Sequence, residues 1–310
     1  MDDDAFEDAA AFGTGYALYR HGQDRLTAGI YHAVRAALAE WDPAVLTRGG
    51  DDEGSSRPGD EVVMPVDLTR HDMLQDWQEY IGQVQLIEEL RLRVDSARIR
   101  HGRLPHTLLA STRSGMGRRA AIRLAARQLG RELVELCAPF TIDQLAQAVD
   151  HIRYADILFI DDLDRAHGPG AVGPGTLTNL FERCDVHHPN GGSHFVDEIS
   201  IVASTTRPDD VATALLDRFP VHVAMADYSL GELAQLAVQF AFTHRSDELV
   251  SDEVAVRIGS LSKGNGPAAV EGLVLLVRDL AVTLGRPPEP EEITHHILRY
   301  TPDPIAAESL

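Results

Sequence analysis

Residues 108–119 read Leu108-Leu109-Ala110-Ser111-Thr112-Arg113-Ser114-Gly115-Met116-Gly117-Arg118-Arg119. An apolar run, a turn holding two glycines and the opening of a helix form the setting of a phosphate-binding loop, whose working form is G-x-x-x-x-G-K-[ST]. Gly115 and Gly117 keep the sharp turn. Thr112 stands at the first glycine position, Arg118 at the lysine and Arg119 at the hydroxyl that holds Mg²⁺. The frame of the loop is present, and three of its chemical positions are changed.

Working outward, the spacing predicts a helix over 84–101, a strand over 104–110, a helix over 118–129, a strand over 133–137 and a helix over 142–152. Residues 157–160 are fully apolar and run into Asp161-Asp162, the pattern of a central parallel strand whose carboxylates emerge at its C-terminal edge. Further strands are predicted at 199–203 and 221–225. Strands alternating with helices imply an α/β fold, a parallel-sheet sandwich. After Tyr228 the strand signals stop. Residues 230–242, 252–260, 267–284 and 291–299 read as four helices of a small all-α domain. The core is therefore set at 67–227 and the helical domain at 228–302, with a tail at 303–310.

Residues 1–46 read as an acidic arm followed by an amphipathic helix, in which Leu26, Ile30, Val34 and Leu38 recur every fourth residue and Trp41 completes the stripe. Residues 47–66, rich in Gly, Ser and acids, read as a flexible linker. The 310 residues carry 44% hydrophobic side chains, enough for a sizeable core, and a formal charge of −20 from 28 basic and 48 acidic residues. Phosphate neutralisation dominates affinity for nucleic acid, so this balance argues against it as a partner. Two cysteines fit a reducing compartment, and neither a basic leader nor a spanning apolar run is visible. The expectation is a cytoplasmic protein with no membrane partner.

Five strings then fall in one order: Glu79-Tyr80-Ile81-Gly82-Gln83, Leu104-Pro105-His106-Thr107-Leu108-Leu109, Asp156-Ile157-Leu158-Phe159-Ile160-Asp161-Asp162, Ala203-Ser204-Thr205-Thr206-Arg207 and Leu215-Leu216-Asp217-Arg218-Phe219. Over residues 70–302 the chain resembles an AAA+ ATPase module, and more narrowly the RuvB-type Holliday-junction branch-migration motor. The resemblance implies an AAA+ P-loop core followed by a helical lid. It also implies ATP or ADP with Mg²⁺ as cofactor, and rings of like subunits.

Carried over residue by residue, the resemblance places Ile81, Gly115, Met116, Gly117, Arg118 and Arg119 at the nucleotide. Asp161 takes the place of the Mg²⁺-holding residue, should nucleotide bind. Asp162 stands where the family has a glutamate that activates water, one methylene shorter. Thr205 or Thr206 matches the γ-phosphate sensor, and Arg218 the arginine finger that reaches a neighbouring subunit. The bland alternatives are strand-terminating carboxylates, ordinary strand threonines, and a surface ion pair of Arg218 with Asp217 or Asp210. In the lid, Gly264-Asn265-Gly266-Pro267-Ala268 has alanine where the family offers an arginine.

Arg119 cannot ligate a cation, and Arg118 presents a wide planar fork where a compact ammonium belongs. Four changes fall in one site, which points to lost or impaired hydrolysis and puts nucleotide and Mg²⁺ binding in doubt. The leading expectation is a degenerate AAA+ protein acting as a scaffold or regulatory subunit. The alternatives are an active divergent ATPase working as a ring, possibly on DNA, and a nucleotide sensor without turnover. A protein partner is expected through the N-terminal helix or through a hairpin at 185–198, which carries an Asn-Gly turn. Cys184, His187, His188 and His194 lie close in sequence but match no zinc spacing. Arg119, Arg123, Arg127 and Arg131 form a basic stripe, read as a solvated face with local ion pairs. In the family a winged-helix DNA-binding domain follows the lid, and only the short tail is expected in its place.

Overall fold

The computed structural model describes residues 63–68, 74–166, 171–183, 185–187, 193–195 and 198–300. The predicted N-terminal arm and helix, most of the linker, the hairpin tip with Cys184, and the tail lie outside the described residues. Two compact units result, an α/β unit ending at Ala226 and a helical unit beginning at Asp227.

In the first unit the helices are α1 (Val84–Arg100), α2 (Arg118–Leu129), α3 (Ile142–His151), α4 (Pro174–Arg183) and the single turn α5 (Thr213–Leu216). The strands are β1 (Thr107–Ala110), β2 (Leu133–Cys137), β3 (Ile157–Asp161), β4 (Asp185–His187), β5 (Ser193–Phe195), β6 (Ser200–Thr205) and β7 (Val221–Ala224). Five of them form a sheet in the order β2-β3-β6-β1-β7, every pairing parallel. β4 and β5 pair as a separate antiparallel ribbon within the stretch predicted as a hairpin.

Parallel strands are covered on both faces, which is why β3 and the centres of β1 and β6 read as apolar runs. Leu108, Val134, Leu158, Ile160 and Ile201 share one buried cluster with Leu145 and Val149 of α3 and Leu177 and Leu180 of α4. The alternate residues, Leu109, Leu133, Phe159 and Val202, are equally buried and serve the other face. The sheet order reverses at β1, because the chain leaves it leftward to β2 and later crosses it rightward to β7. In open α/β sheets that reversal opens a crevice beyond the C-terminal ends of the strands, where ligands bind. The loop 111–117 lies there.

The linker ends earlier than predicted. Val63 is buried, Pro65 bridges Val134 antiparallel, and the Val66 N–H donates to the Leu133 carbonyl at 2.7 Å. β2 is the sheet's edge strand, so these residues cover an otherwise open row of backbone groups.

The second unit holds α6 (Leu230–Thr243), α7 (Asp252–Ser262), α8 (Pro267–Leu284) and α9 (Pro290–Tyr300). Ser229 and Glu232 form a reciprocal capping box at the start of α6, and Ser251 caps α7. Leu233, Ile258, Val270, Leu273, Val274 and Ile293 are fully buried. Gly259 lets α7 approach α6 closely: a Cβ there would lie 3.0 Å from the Ala234 nitrogen and 3.1 Å from the Leu230 carbonyl oxygen. Among the described residues no helix is long and apolar enough to cross a membrane.

Candidate functional site

β1 delivers the chain into the loop, and α2 begins at Arg118 directly after it. Gly115 and Gly117 have φ of 76° and 90°, values that L side chains avoid, so both turns require glycine. Gly117 is the N-cap and offers no side chain to the first turn of α2. The orphan N–H groups there form the electropositive end of a helix, which suits an anion. Met116 is buried under the loop, and the Ser111 N–H donates to the Thr205 carbonyl at 3.0 Å, pinning loop to sheet.

The 79–83 string closes one side. The Tyr80 hydroxyl donates to the Gly117 carbonyl at 3.1 Å. Gln83 bonds the Ala226 backbone twice, accepting from its N–H at 3.0 Å and donating to its carbonyl at 2.5 Å. Ile81 lies half-buried between these two anchors.

The acidic strand end and the two arginines of the loop meet each other. Arg118 Nη2 lies 3.0 Å from Asp162 Oδ1 and 3.5 Å from Asp161 Oδ1, with the Arg118 side chain 5% exposed. Arg119 Nη2 lies 3.0 Å from Asp161 Oδ2, and its Nε 3.5 Å from Glu135 Oε2. Arg123 grips Glu135 through two bonds of 2.7 and 2.8 Å. Arg165 stands 3.6 Å from Asp162 Oδ2. The remaining Asp161 oxygen, Oδ1, accepts from the Ser204 hydroxyl and from the Asp162 N–H at 3.2 Å. Strands β2, β3 and β6 and helix α2 thus contribute to one alternating network of charges.

These pairs differ in strength. Arg119 is 47% exposed, and an exposed ion pair contributes only about 0–1 kcal/mol. Arg118 is enclosed, and removing one partner of a buried pair costs roughly 3–5 kcal/mol. Arg118 therefore carries the network. Its Nη1 is buried and makes no hydrogen bond.

The donor set fits Mg²⁺ poorly. Both Asp161 oxygens are engaged, the hydroxyl position of the loop is a guanidinium, and a second guanidinium touches both aspartates. The phosphate cradle is better kept, in the two glycine turns, the open start of α2 and the unsatisfied Arg118 Nη1.

Of the two candidate sensor threonines, Thr205 has its hydroxyl committed to Asp164. Thr205 is fully buried, donates to Asp164 Oδ1 at 2.8 Å and accepts from the Arg207 N–H at 3.0 Å. Burial works against ionisation of Asp164, but bonds from Thr205, the Thr206 amide, its own amide and Arg207 win and hold its carboxyl below the usual carboxylate range. Thr206 follows, half-buried, with its amide on Asp164 at 3.2 Å. The hydroxyl that touches Asp161 belongs to Ser204. Alternation along β6 carries the signal, since Ser204 and Thr205 must face opposite sides.

Arg218 pairs with Glu182 on α4, not with Asp217 or Asp210, and stays 40% exposed at the surface. Asp210 pairs with Arg207 at 3.2 Å. In the second unit Ala268, exposed, is the second residue of α8. Beside the acidic pair, Cys137 has its thiol pushed up by burial and by Asp161 and Asp162, so it is no ready nucleophile. The basic stripe is spent on local bonds: Arg127 donates to the Leu68 carbonyl at 2.5 Å and Arg131 to the Tyr154 carbonyl at 3.4 Å.

Residues 73–170, from before α1 past the acidic strand end, match the family model of the Holliday junction DNA helicase RuvB P-loop domain. The chain carries a RuvB-like AAA+ module. It is 28% identical over 227 residues to the Holliday junction branch migration complex subunit RuvB of Kosmotoga olearia, covering 70% of this chain and 64% of that protein. With the subunit of the same name from an Anaeromyxobacter species it shares 29% over 229 residues, 67% of this chain and 65% of the relative. The module thus spans just under two thirds of the length of these curated relatives. Its fold is similar to the Thermotoga maritima RuvB Holliday junction branch migration motor, with a TM-score of 0.60, 21% identity and coverage of 74% and 72% of the two chains.

One expectation is corrected by these relatives. The charge of −20 argued against nucleic acid as a partner, yet proteins with this module are named as subunits of a Holliday junction branch migration complex. Net charge sums over the whole surface, whereas a nucleic-acid contact is local. The argument from net charge does not stand.

Proposed function

We propose that this chain is a RuvB-like AAA+ subunit in which ATP hydrolysis is impaired, serving as a regulatory or scaffold subunit of an assembly on branched DNA. The observation that carries this reading is the pairing of Arg118 with Asp162 and of Arg119 with Asp161, each at 3.0 Å. Hydrolysis in this fold needs Asp161 free to hold Mg²⁺ and an acid at position 162 free to orient water. Here both carboxylates are neutralised by cations from the first turn of α2, and the buried one is hard to displace. A divalent ion entering beside Asp161 would also meet Arg118, and two unit charges about 4 Å apart already repel by roughly 1–4 kcal/mol between water-like and surface-like dielectric.

A second reading is favoured by the unsatisfied Arg118 Nη1. In it the loop holds a nucleotide phosphate directly on arginine, without metal, and the subunit senses nucleotide rather than spending it. Calorimetry of ATP with and without Mg²⁺, alongside mobility shift of a four-way DNA junction, tests both readings. Binding that is indifferent to Mg²⁺ supports the sensor; no binding to nucleotide with retained junction binding supports the scaffold. Mg²⁺-dependent binding followed by turnover sinks both.

A further inference from the structure

A cavity of about 540 Å³ opens at the end of the sheet opposite the loop, lined by Arg93, Ser96, Arg100, Arg103 and His106, with Pro220 on the far side. His106 precedes β1 and Ser111 follows it, so this cavity lies on the order of 15 Å from the start of the phosphate-binding loop at strand rise. It is a separate place. Arg93, Ser96 and Arg100 share one face of α1 by their spacing of three and four, and Arg103 joins the lining from beyond the helix end. In a chain of charge −20, its lining holds three arginines and no carboxylate. The acids on these arginines are Glu89, beside Arg93, and the largely exposed Glu198, 3.7 Å from Arg103.

His106 decides what the cavity lacks. The Ile201 N–H, fixed by the backbone, donates to His106 Nδ1 at 3.0 Å. A neutral ring that accepts at Nδ1 must carry its proton on Nε2. Burial and the Arg103 charge keep the ring neutral, with its pKa lowered to about 4. Yet Nε2 lies 3.0 Å from Arg103 Nη1, which is itself only a donor. Arg103 Nη1 reaches the Ile199 carbonyl only at 3.4 Å, and the His106 Nε2–H is left facing this donor with no acceptor. An oxyanion seated on both would resolve the conflict, and Arg100 lines the same cavity.

We propose that this cavity is a binding site for a phosphate group, held by His106 Nε2–H and the Arg103 guanidinium and closed by Arg100. Phosphate fits better than carboxylate because several oxygens can accept from three diverging donors at once. The group comes either from a free phosphate ester or from a nucleic-acid backbone.

The test follows the imidazole nitrogens by ¹H–¹⁵N correlation on the full chain at neutral pH, with His106 assigned through His106→Gln. The expected state is the Nε2–H tautomer, with its resonance shifted saturably by inorganic pyrophosphate. The apparent affinity should fall at least tenfold in Arg100→Gln, an exposed change that spares the fold, and further in Arg100→Gln/Arg103→Gln. A short single-stranded oligonucleotide moving the same resonance at lower concentration assigns the phosphate to nucleic acid; the reverse order assigns it to a free ester. An Nδ1–H tautomer, or a resonance unmoved by millimolar pyrophosphate, overturns the proposal.

Discussion

Arg119 Nη2 sits 3.0 Å from Asp161 Oδ2, and Arg118, the residue before Arg119, lies equally close to Asp162, the residue after Asp161. Neighbours on helix α2 and neighbours at the end of β3 are thereby zipped together across the site where a nucleotide-bound cation belongs in this fold. Asp162 joins from a left-handed backbone, φ 56°, which turns its carboxylate back toward Arg118.

The inner and outer pairs should separate cleanly in stability. Asp162→Asn keeps a residue that tolerates positive φ and an oxygen acceptor for Arg118 but removes the charge. With Asp161 still 3.5 Å from Arg118, it should cost less than full loss of a buried partner, about 1–3 kcal/mol in urea unfolding. Arg119→Gln, which removes an exposed pair, should stay within about 1 kcal/mol of the parent. Equal effects would show that Arg118 is not the centre of the network.

If only the site has changed, rebuilding it should restore function. Arg118→Lys, Arg119→Thr and Ala268→Arg together should raise Mg²⁺-dependent ATP turnover at least roughly tenfold, the equivalent of about 1.4 kcal/mol in the barrier. An unchanged rate in a folded variant would place the defect elsewhere.

The boundaries of α2, β2 and α8 could be read from sequence to the residue, because each is an apolar stripe ended by glycine, proline or charge. α4 could not. It opens on Gly173-Pro174-Gly175, which reads as loop, and its burial rests on Leu177 and Leu180. The phosphate-binding loop was legible from Gly115 and Gly117, and so was the acidic strand end. That the arginines pair with the aspartates was not, because the contact joins residues more than forty positions apart through the β2-β3 register that sets Cys137 beside Asp161. Ser204 was overlooked in favour of the adjacent threonines, although strand alternation puts only one of Ser204 and Thr205 on the acidic side.

His106 should give the fold a pH dependence of its own. Its folded pKa of about 4 lies below the ordinary 6.5, so its neutral form stabilises the fold above pH 6.5 and that contribution is lost as pH falls toward 4. Relative to His106→Gln, the wild type should lose roughly 3 kcal/mol across that window, measured by urea unfolding in phosphate-free buffer. Parallel profiles would mean that the ring is not buried neutral.

The helical unit should be sensitive at Gly259. A methyl group there meets the α6 backbone at 3.0 and 3.1 Å, so Gly259→Ala should destabilise by about 1–3 kcal/mol in spite of its better helix propensity. A stabilised variant would show that α6 and α7 can move apart at little cost.

The most direct measurement is steady-state ATP hydrolysis by the full chain with Mg²⁺, compared with Asp161→Asn. A site held by Arg118 and Arg119 gives a background rate that Asp161→Asn leaves unchanged. A Mg²⁺-dependent rate well above background that Asp161→Asn abolishes would contradict it.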